Sequence, residues 1–418
     1  MKIMVIGSGG REHTLVWKIK KDDRETELFA VPGNGGIYEI AECIPAKTNH
    51  SEHIADLAIK NNINLTVVGP ELPLAEGISD IFQQKGLKIF GPIKKAAKLE
   101  ASKSFAKEFM KNNKIPTADF EITDSYDKGI QILERRVFPC VIKYDGLAAG
   151  KGVMVANNFD EAIDFLEKIY RDKIFGDKSN KVIIEDCLDG REISYLIFTD
   201  TVDFLPMVPA KDYKRVFDND KGPNTGGMGC YSPPSLFNQE LEKLIQKNIV
   251  FPTIKGLQKE NIDYRGVLYF GLMITKKGPY VLEYNVRFGD PETQVILPRM
   301  ESNLIEIMEA VTEQSLKKCS IRWSKMKSLC VILASAGYPG KYETDKEIKG
   351  LKEIENLDVI LFHAGTKREN GKILTAGGRV LSITAMGNTF PEARDKVYKA
   401  ADIIDFEGKH YRKDIGLE

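Results

Sequence analysis

Short apolar runs that each end in glycine or proline, and that are followed by helical periodicity, recur through the first hundred residues. The runs lie at residues 3–6, 28–31, 65–68 and 88–90. The breaks that end them lie at residues 7–10, 32–36, 69–71 and 91–92. Strands that alternate with helices form βαβ units and a parallel sheet. We therefore expect an N-terminal doubly wound parallel α/β domain, with ligands beyond the carboxyl ends of its strands.

The charge balance and the cysteine pattern exclude several classes of protein. Sixty basic and sixty acidic residues give a formal net charge of zero, so no overall field attracts nucleic acid or a membrane surface. The six cysteines are scattered without a C-x-x-C pair, which argues against a zinc cage or a disulfide framework. We find no signal peptide and no apolar run long enough to span a bilayer. We expect a cytoplasmic protein of about two to four domains.

Beyond the N-terminal repeats, the elements are less regular. The spacing predicts helices at 94–112, 240–259 and 391–403, strands at 138–143 and 153–156, and a hairpin of residues 267–274 and 280–283. A final unit begins near residue 328. Residues 206–234 are rich in Gly, Asp, Asn and Pro and show little periodicity, which is typical of functional segments in globular proteins.

The most informative segment follows the apolar residues 280–282. Side chains on a strand alternate between its faces, so Glu283, Asn285 and Arg287 share one face. A carboxylate and an amide oxygen suit a hard cation such as Mg²⁺, and an arginine can bind a phosphate or a carboxylate. This face predicts metal-assisted phosphoryl chemistry. The alternative is an edge strand with a solvated face, but the Gly-Asp-Pro-Glu turn at 289–292 adds further oxygen ligands beside it.

The loop at residues 7–10 follows a strand and opens a helix, as in dinucleotide-binding proteins. Glu12 stands where that fingerprint needs a third small residue, and the second strand ends at Pro32 without an acidic residue for the ribose. A nicotinamide or flavin cofactor is therefore disfavoured. The loop amides can still bind a lone phosphate or another anion, and a plain strand-to-helix turn is an equal alternative.

A second glycine-rich loop runs from Lys143 to Gly152 and resembles a P-loop only superficially. Gly146 and Gly150 are one residue too close, and Gly152 replaces the metal-binding hydroxyl. A small loop between two strands can cover phosphates with its N–H groups and a lysine, Lys151. This favours a lid, and a purely structural hairpin is the alternative. Further on, the spacing of residues 185, 188 and 192 is compatible with contacts to adenine and ribose.

Together these motifs resemble the ATP-grasp superfamily and, within it, the phosphoribosylamine–glycine ligase (glycinamide ribonucleotide synthetase) family. The matching stretches span nearly the whole chain, at residues 7–13, 32–36, 69–71, 143–152, 212–229 and 285–294. The stretches 223–229 and 285–292 are specific to this family rather than to ATP-grasp proteins in general. The chain departs from the family pattern at Arg191, Tyr213 and Cys230, none of which is an expected metal ligand.

The resemblance implies an α/β and α+β multidomain fold. Its parts would be the N-terminal domain at 1–101, an ATP-grasp core at 102–325 with a mobile lid at roughly 120–190, and a small C-terminal α+β domain at 326–418. It also implies a monomer or weak dimer that binds small molecules and neither nucleic acid nor a membrane.

The resemblance further implies ATP, glycine and 5-phosphoribosylamine as substrates. ATP would phosphorylate the glycine carboxylate, and the ribosylamine nitrogen would attack the resulting acyl phosphate. Mg²⁺ or Mn²⁺ would bind Glu283 and Asn285. The catalytic residues would be Arg287, Lys143 and Asp290. The ATP-binding residues would be Lys103, Lys143, Gly150, Lys151, Gly152, Glu185, Leu188 and Glu192. The substrate-binding residues would be Gly9, Gly10, Asn34, Glu71, Asp212, Lys214, Gly226, Gly227, Met228 and Arg287.

Three other hypotheses stay open at this point. They are an ATP-grasp enzyme with other substrates, a nucleotide-responsive binding protein without turnover, and an oxidoreductase. The loop at 223–229 argues against the first, and the intact Glu283, Asn285 and Arg287 argue against the second. Glu12 argues against the third.

Overall fold

The structure, a computed structural model, describes residues 1–147, 152–176 and 179–417. The predicted roles of Gly150 and Lys151 lie outside the described residues. The described chain forms four sheets of four to six strands and two isolated two-stranded hairpins. No helix in these ranges is long and apolar enough to cross a membrane.

The N-terminal sheet is parallel throughout and has the doubly wound order that the repeats predict. From edge to edge its strands are Glu42–Cys43, Glu27–Pro32, Lys2–Gly7, Leu65–Val68 and Ile89–Phe90. The helices of this domain are Gly10–Asp22, Ile37–Glu39 (a 3₁₀ turn), Ser51–Lys60, Glu71–Glu76 and Ile78–Gln84. The central strands are almost entirely buried, as expected where helices cover both faces of a parallel sheet.

The single helix predicted at 94–112 is wrong, because the structure has two helices, Lys94–Ala101 and Lys103–Asn112. Ser102 between them has an extended backbone, and its hydroxyl accepts a hydrogen bond from the Phe105 N–H at 3.2 Å. This is an N-cap contact, which begins a new helix. Apolar periodicity continues across the break, so the periodicity alone did not reveal it.

A four-stranded antiparallel sheet, called the small sheet below, follows this helix pair. Its strands, in order, are Phe120–Thr123, Val182–Asp186, Cys140–Tyr144 and Val153–Ala156. The helices Tyr126–Leu133 and Phe159–Tyr170 contribute side chains to its core. The strands that flank the second glycine-rich loop pair with each other, from Cys140 opposite Ala156 to Lys143 opposite Val153. The two predicted strands are therefore found, one on each side of the loop.

The central sheet is antiparallel and contains the predicted hairpin. Its strands, in order, are Phe204–Pro206, Arg191–Thr199, Gly266–Thr275 and Gly278–Asn285. The predicted helix at 240–259 is found as one continuous run of three segments, Gln239–Ile245, a π-helical Gln246–Val250 and Phe251–Lys259. The helical segments Thr293–Ile296, Leu297–Arg299, Leu304–Thr312 and Leu316–Lys318 follow the sheet.

The C-terminal sheet takes strands from the middle and from the end of the chain. In order they are Lys211–Asp212, Gly229–Ser232, Lys327–Ser335, Arg379–Gly387 and Ile360–His363, and Lys409–His410 also pairs with Lys327–Ser335. The helix Phe390–Ile403 packs on this sheet. The isolated hairpins are Arg215–Phe217 with Lys221–Asn224, and Thr366–Glu369 with Lys372–Thr375. The stretch 206–234 thus contains short strands, which its sequence did not reveal because each has only two to four residues.

One apolar cluster joins the N-terminal domain to the back of the central sheet. Tyr284 and Val286, predicted to face away from Glu283, are 2% and 1% exposed. The Tyr284 ring meets Phe270 and Phe109 edge-on, at centroid distances of 5.4 and 6.4 Å. Burial of this face directs the alternate side chains of the strand to the opposite side.

We expect Phe109→Ala to lower the free energy of unfolding by about 3–5 kcal/mol, because it leaves a cavity behind the strand Gly278–Asn285. Urea titration measures this. Val137→Ala is the matched control, since Val137 is 81% exposed and should change the unfolding midpoint little. Equal effects of the two substitutions would show that the aromatic cluster does not support the strand.

Candidate active site

A cavity of about 600 Å³ lies where the four sheets approach one another. Arg11 and Glu71 line it from the N-terminal domain, and Lys143 lines it from the small sheet. Glu283 lines it from the central sheet and Arg379 from the C-terminal sheet. Eleven predicted site residues line this cavity, namely Glu71, Lys103, Lys143, Gly152, Asp212, Lys214, Gly226, Glu283, Asn285, Arg287 and Asp290.

The predicted metal ligands lie side by side on the cavity face of the strand Gly278–Asn285. Within the described residues, the Glu283 carboxylate makes no hydrogen bond or ion pair. Burial raises the pKa of Glu283, but nearby lysines outweigh that effect and hold the pKa below its usual value. These lysines are, in order of influence, Lys214, Lys143 and Lys103. The carboxylate is therefore ionised and open to a ligand.

This donor set fits a cation that keeps part of its own coordination shell. The described chain contains no group of three or more His, Cys, Asp or Glu side chains arranged to hold a metal. The Glu283 carboxylate and the Asn285 amide oxygen together would supply only part of an octahedral shell. Mg²⁺ is commonly bound in this way, by one or two carboxylates with substrate phosphates and water.

Arg287 is held by carboxylates from two different elements. Its Nη2 lies 2.9 Å from Glu100 and its Nε lies 3.3 Å from Glu71. Nη2 also donates to the Asn285 amide oxygen at 3.2 Å. The second oxygen of Glu100 accepts from the Val286 N–H at 2.8 Å. These contacts fix the guanidinium beside the predicted metal ligands and orient the Asn285 amide.

Three lysines line the cavity near the strand Gly278–Asn285 and are called the lysine wall below. Lys103 donates to the Gly146 carbonyl at 2.8 Å, and Lys143 donates to the Leu282 carbonyl at 3.1 Å. Lys143 also lies 2.5 Å from Glu185, and Lys107 forms a second ion pair with the same carboxylate. Burial lowers the pKa of Lys107 to about 8, against the opposing effect of Glu185. This wall can meet several negative charges of a polyphosphate.

Glu185 is 2% exposed and its carboxylate is taken up by the two lysines. Burial raises its pKa, but Lys143 and Lys107 outweigh burial and hold the pKa below its usual value. The side chain of Glu185 is therefore engaged, and only its main chain could make the predicted contact with adenine. The carboxylate instead positions Lys143.

Further carboxylates line the cavity around Asp212 and Glu292. Glu292 is 4% exposed and accepts hydrogen bonds from Ser194 and Tyr269 at 2.9 and 3.2 Å. Burial and the neighbouring Glu292 raise the pKa of Asp212 well above its usual value. Lys214 lies 2.6 Å from Glu192, which fixes its ammonium near Asp212.

The C-terminal unit holds the Gly-Asp-Pro-Glu turn at residues 289–292 in place. Arg379 lies 3.1 Å from the Asp290 carboxylate and donates to the Gly226 carbonyl at 2.6 Å. The Tyr338 hydroxyl accepts from the Gly226 N–H at 2.9 Å. Burial raises the pKa of Asp290, but Arg379 and then Arg11 outweigh it, so the pKa lies below its usual value. Asp290 is therefore an ionised partner of Arg379.

Three predicted substrate residues from the N-terminal domain do not line the cavity. The Gly9 N–H donates to the Glu12 carboxylate at 2.5 Å, so the protein itself fills this anion position. Gly10 is buried against Gln294, whose Nε2 would lie 2.6 Å from a side chain there. The Asn34 amide donates to the carbonyls of Ser8 and His363 at 2.9 and 2.8 Å, which ties the N-terminal loop to the C-terminal sheet.

Five further predicted residues also lie outside the cavity lining. Glu185 and Glu192 hold lysines, as described above, and Leu188 is half-buried beyond the strand Val182–Asp186. Gly227 has a positive φ of 110° and packs closely against Pro291, whose Cδ would lie 2.4 Å from a Cβ at position 227. Met228 is fully buried in a small cluster with Val216 and Ala334.

Sequence reasoning gave no role to several residues that line this cavity. They are Arg11, Glu100, Lys107, Tyr269, Tyr338 and Arg379. Glu100 and Lys107 lie on the helix pair whose break was missed. Tyr338 and Arg379 come from the C-terminal unit, where no motif was recognised. Arg11 stands out in the sequence as a charge beside a glycine-rich loop. Its hydrogen bond to the Phe288 carbonyl at 3.2 Å could not be predicted, because the two residues are far apart in the chain.

We expect Glu185→Gln to lower the free energy of unfolding by about 3–5 kcal/mol, because it leaves two buried lysines without their counter-charge. Chemical denaturation measures this change. Glu167→Gln is the matched control, since its ion pair with Arg171 lies on the surface of the neighbouring helix. If Glu185→Gln were as stable as the control, the carboxylate would not carry the lysine wall.

Known proteins resemble this chain along its full length. Three family models of phosphoribosylglycinamide synthetase match this chain. The model of the N domain matches residues 1–100, that of the ATP-grasp (A) domain matches residues 101–293, and that of the C domain matches residues 328–418. The phosphoribosylamine–glycine ligase of Caldanaerobacter subterraneus subsp. tengcongensis is 46% identical over 415 residues, with 99% of each chain covered. That of Halalkalibacterium halodurans is 44% identical, covering 100% of this chain and 96% of its own.

Solved structures agree with these sequence relations. The crystal structure of phosphoribosylamine–glycine ligase from Thermotoga maritima superposes with a TM-score of 0.87 at 34% identity, covering 99% of this chain and 100% of its own. The predicted fold class and family resemblance are confirmed. ATP-grasp enzymes in general use ATP with a divalent metal. The chain belongs to the phosphoribosylglycinamide synthetase family, whose members are ATP-dependent carbon–nitrogen ligases of the ATP-grasp fold.

Proposed function

We propose that this chain joins glycine to 5-phosphoribosylamine at the expense of ATP, in the de novo synthesis of purines. The products are glycinamide ribonucleotide, ADP and phosphate. One observation carries the proposal. A single cavity is lined by an open carboxylate–amide pair, Glu283 and Asn285, by a group of lysines and by further carboxylates that include Asp212 and Glu292. This set of groups suits a polyphosphate together with an amine-bearing substrate.

The chemistry requires a glycine carboxylate to become a good acyl donor. Transfer of the γ-phosphoryl group of ATP to a carboxylate oxygen forms an acyl phosphate and releases ADP. The ribosylamine nitrogen then attacks the acyl carbon, the C–N bond forms, and inorganic phosphate leaves with the bonding electron pair. The amine gives up a proton in this step. The protein contributes alignment and charge neutralisation rather than a covalent nucleophile.

The lysine wall is assigned to the phosphates. Lys103 and Lys143 meet their charge, and Glu185 and Lys107 keep Lys143 in place. The loop residues Gly150, Lys151 and Gly152 are proposed to cover the phosphates, by their position in the family motif. Adenine is proposed to contact the main chain near Glu185 and Leu188, and the ribose to contact Glu192. Exclusion of water from this region strengthens each charge interaction.

Glu283 and Asn285 are proposed to hold Mg²⁺, with Mn²⁺ as the alternative. When bound there, the ion supplies charge neutralisation and orientation of the phosphates. Arg287 is proposed to stabilise the phosphoryl group in transfer, because Glu71 and Glu100 hold its guanidinium beside the metal ligands. Asp290 acts through Arg379, which fixes the Gly226 carbonyl at the mouth of the substrate pocket.

The remaining proposals concern the substrate pocket and the state of the protein. Asp212, Lys214, Gly226 and Glu71 line the cavity and are proposed to bind glycine and the ribosylamine. Gly9, Gly10, Asn34, Gly227 and Met228 are proposed to support the same pocket from behind its lining. A monomer or weak dimer in the cytoplasm remains the proposed state.

The direct experiment mixes the protein with ATP, Mg²⁺, glycine and freshly prepared phosphoribosylamine. Glycinamide ribonucleotide should form, with one ADP released for each. Omission of either glycine or the amine should abolish the ribonucleotide. ADP release at the same rate without glycine and without the amine would contradict the proposal.

We expect Glu283→Gln to reduce turnover far more than it reduces stability, because it removes the charged ligand of the proposed metal but no hydrogen bond or ion pair, although the nearby lysines lose a favourable charge. EDTA should abolish wild-type turnover, and excess Mg²⁺ should restore it. Glu167→Gln again serves as the control, since that carboxylate lies on the surface of the small sheet's helix. A parallel loss of melting temperature and activity in Glu283→Gln would indicate a structural role instead.

A further inference from the structure

The isolated hairpin of Arg215–Phe217 and Lys221–Asn224 pairs with no other strand in the described parts of the chain. Its own ladder is short, with Arg215 opposite Asn224 and Phe217 opposite Lys221. A two-stranded hairpin on its own is at best marginally stable in water. The position of this hairpin must therefore come from contacts outside its two strands.

The base of the hairpin forms part of the cavity wall. Lys214, which precedes its first strand, lines the cavity, as do Asn224, Thr225 and Gly226 at the end of its second strand. The Thr225 N–H and hydroxyl both donate to the Lys214 carbonyl, at 2.7 and 2.8 Å, which joins the two ends of the hairpin. A shift of the hairpin would therefore move residues that are proposed to bind glycine and the ribosylamine.

Arg412 connects the hairpin to residues 409–416, called the tail segment below. Its guanidinium donates to the Arg215 carbonyl at 3.0 Å and to the Asp220 carboxylate at 2.8 Å. It also makes two hydrogen bonds to Asp414 of the tail segment, at 2.8 and 2.6 Å. Arg412 is only 1% exposed, and its planar fork fixes the direction of each hydrogen bond. One buried cation thus joins the hairpin to the tail segment.

Two further hydrogen bonds hold the tip of the hairpin against the tail segment. The Lys413 N–H donates to the Asp218 carboxylate at 2.7 Å. In the opposite direction, the Asn219 N–H donates to the Asp414 carboxylate at 2.8 Å. The tail segment therefore contacts both the first strand of the hairpin and the turn between its strands.

Arg412 also contacts the residue at which the cavity-lining segment begins. Its guanidinium lies over the Tyr213 ring, 4.8 Å from the ring centroid. The main chain of Tyr213 is bonded to the far end of the same segment, because its N–H donates to the Gly229 carbonyl at 3.0 Å and its carbonyl accepts from the Met228 N–H at 2.8 Å. Arg412 thus braces the segment 213–229 at its origin as well as at the hairpin.

We propose that Arg412 is a positioning residue for the substrate pocket, which fixes the hairpin and thereby holds residues 224–226 in the cavity wall. This inference rests on the proposed function and deepens it. It assigns to the tail segment a role in the binding of the amino acid or the amine and none in the binding of ATP. Lys103 and Lys143, which are proposed to meet the ATP phosphates, lie on the helix Lys103–Asn112 and on the small sheet.

The first test compares Arg412→Met with the wild type by hydrogen–deuterium exchange, before any substrate is added. The amides of residues 215–224 should exchange about tenfold faster or more, while the strands of the N-terminal sheet keep their rates, because only the hairpin loses its brace. Arg171→Met is the matched control, since Arg171 also lies over a tyrosine ring, that of Tyr126, and pairs with Glu167. The control should leave the exchange of residues 215–224 unchanged.

The second test measures the same variants in the ligase assay. In Arg412→Met, kcat/KM should fall about tenfold or more for glycine, for phosphoribosylamine or for both, because a small misplacement of binding groups is costly, while the KM for ATP stays within about twofold. Arg412→Lys should recover part of the loss, since lysine keeps the charge but not the planar fork. Arg171→Met should leave all three substrates unaffected.

A second variant separates the proposed role from a failure to fold. Asp218→Ala combined with Asp220→Asn removes contacts from the hairpin tip and leaves the buried Arg412 in place. Asp220 has a positive φ of 51°, which asparagine tolerates. Both positions lie outside the apolar cores, so the melting temperature should change little. The exchange of residues 215–224 and the loss of kcat/KM should nevertheless resemble those of Arg412→Met.

Each outcome decides between the two proposals. If the wild type forms no glycinamide ribonucleotide, the proposed function fails and the inference that rests on it fails as well. If the wild type is active but both variants keep the wild-type exchange at residues 215–224, the inference alone is overturned. Faster exchange without a loss of kcat/KM for either substrate also overturns it. An equal loss for ATP, glycine and phosphoribosylamine does the same, since it indicates a general structural role.

Discussion

The pairing of the strands Gly266–Thr275 and Gly278–Asn285 is the constraint on which the site depends. Their register sets Tyr269 opposite Asn285 and Gly271 opposite Glu283. Because side chains alternate, the same pairing buries Tyr284 and Phe270 on the other face, where Phe109 packs edge-on against Tyr284. A shift by one residue would exchange the two faces and move Glu283 and Asn285 into the apolar core. The hydrophobic cluster therefore sets the position of the polar groups.

Charged groups of both signs line the cavity, and most of the acids lie beside a lysine or an arginine. Lysines from the helix Lys103–Asn112 and the small sheet form one wall, and Glu185 is the buried counter-charge that fixes two of them. Asp212 and Glu292 line the cavity near Lys214 and Arg379. Glu283 also lines it, and Lys214, Lys143 and Lys103 keep its carboxylate ionised. Such an arrangement can align a polyphosphate, a cation and an amine, with little rearrangement of the protein as charge moves.

Sequence reasoning was successful where the pattern was local. The glycine-ended runs predicted the parallel N-terminal sheet, and alternation along residues 283–287 predicted which side chains share the cavity. It was less successful for contacts between distant segments. Glu100 and Arg287 lie far apart in the chain, so no local pattern predicts their ion pair, and the N-cap hydrogen bond at Ser102 leaves no mark in the apolar periodicity. The strand Lys211–Asp212 is too short to show a period, and it pairs with Gly229–Ser232, which in turn pairs with Lys327–Ser335.

The central claim is that a divalent ion binds the carboxylate and the amide of one strand, next to the lysine wall. A crystal of the protein with Mn²⁺ and a non-hydrolysable ATP analogue tests it most directly, through the anomalous signal of the manganese. The account predicts a peak within bonding distance of a Glu283 oxygen and the Asn285 amide oxygen, with the phosphates reaching from the ion to Lys103 and Lys143. A nucleotide bound with its metal elsewhere, and Glu283 facing only solvent, would contradict it.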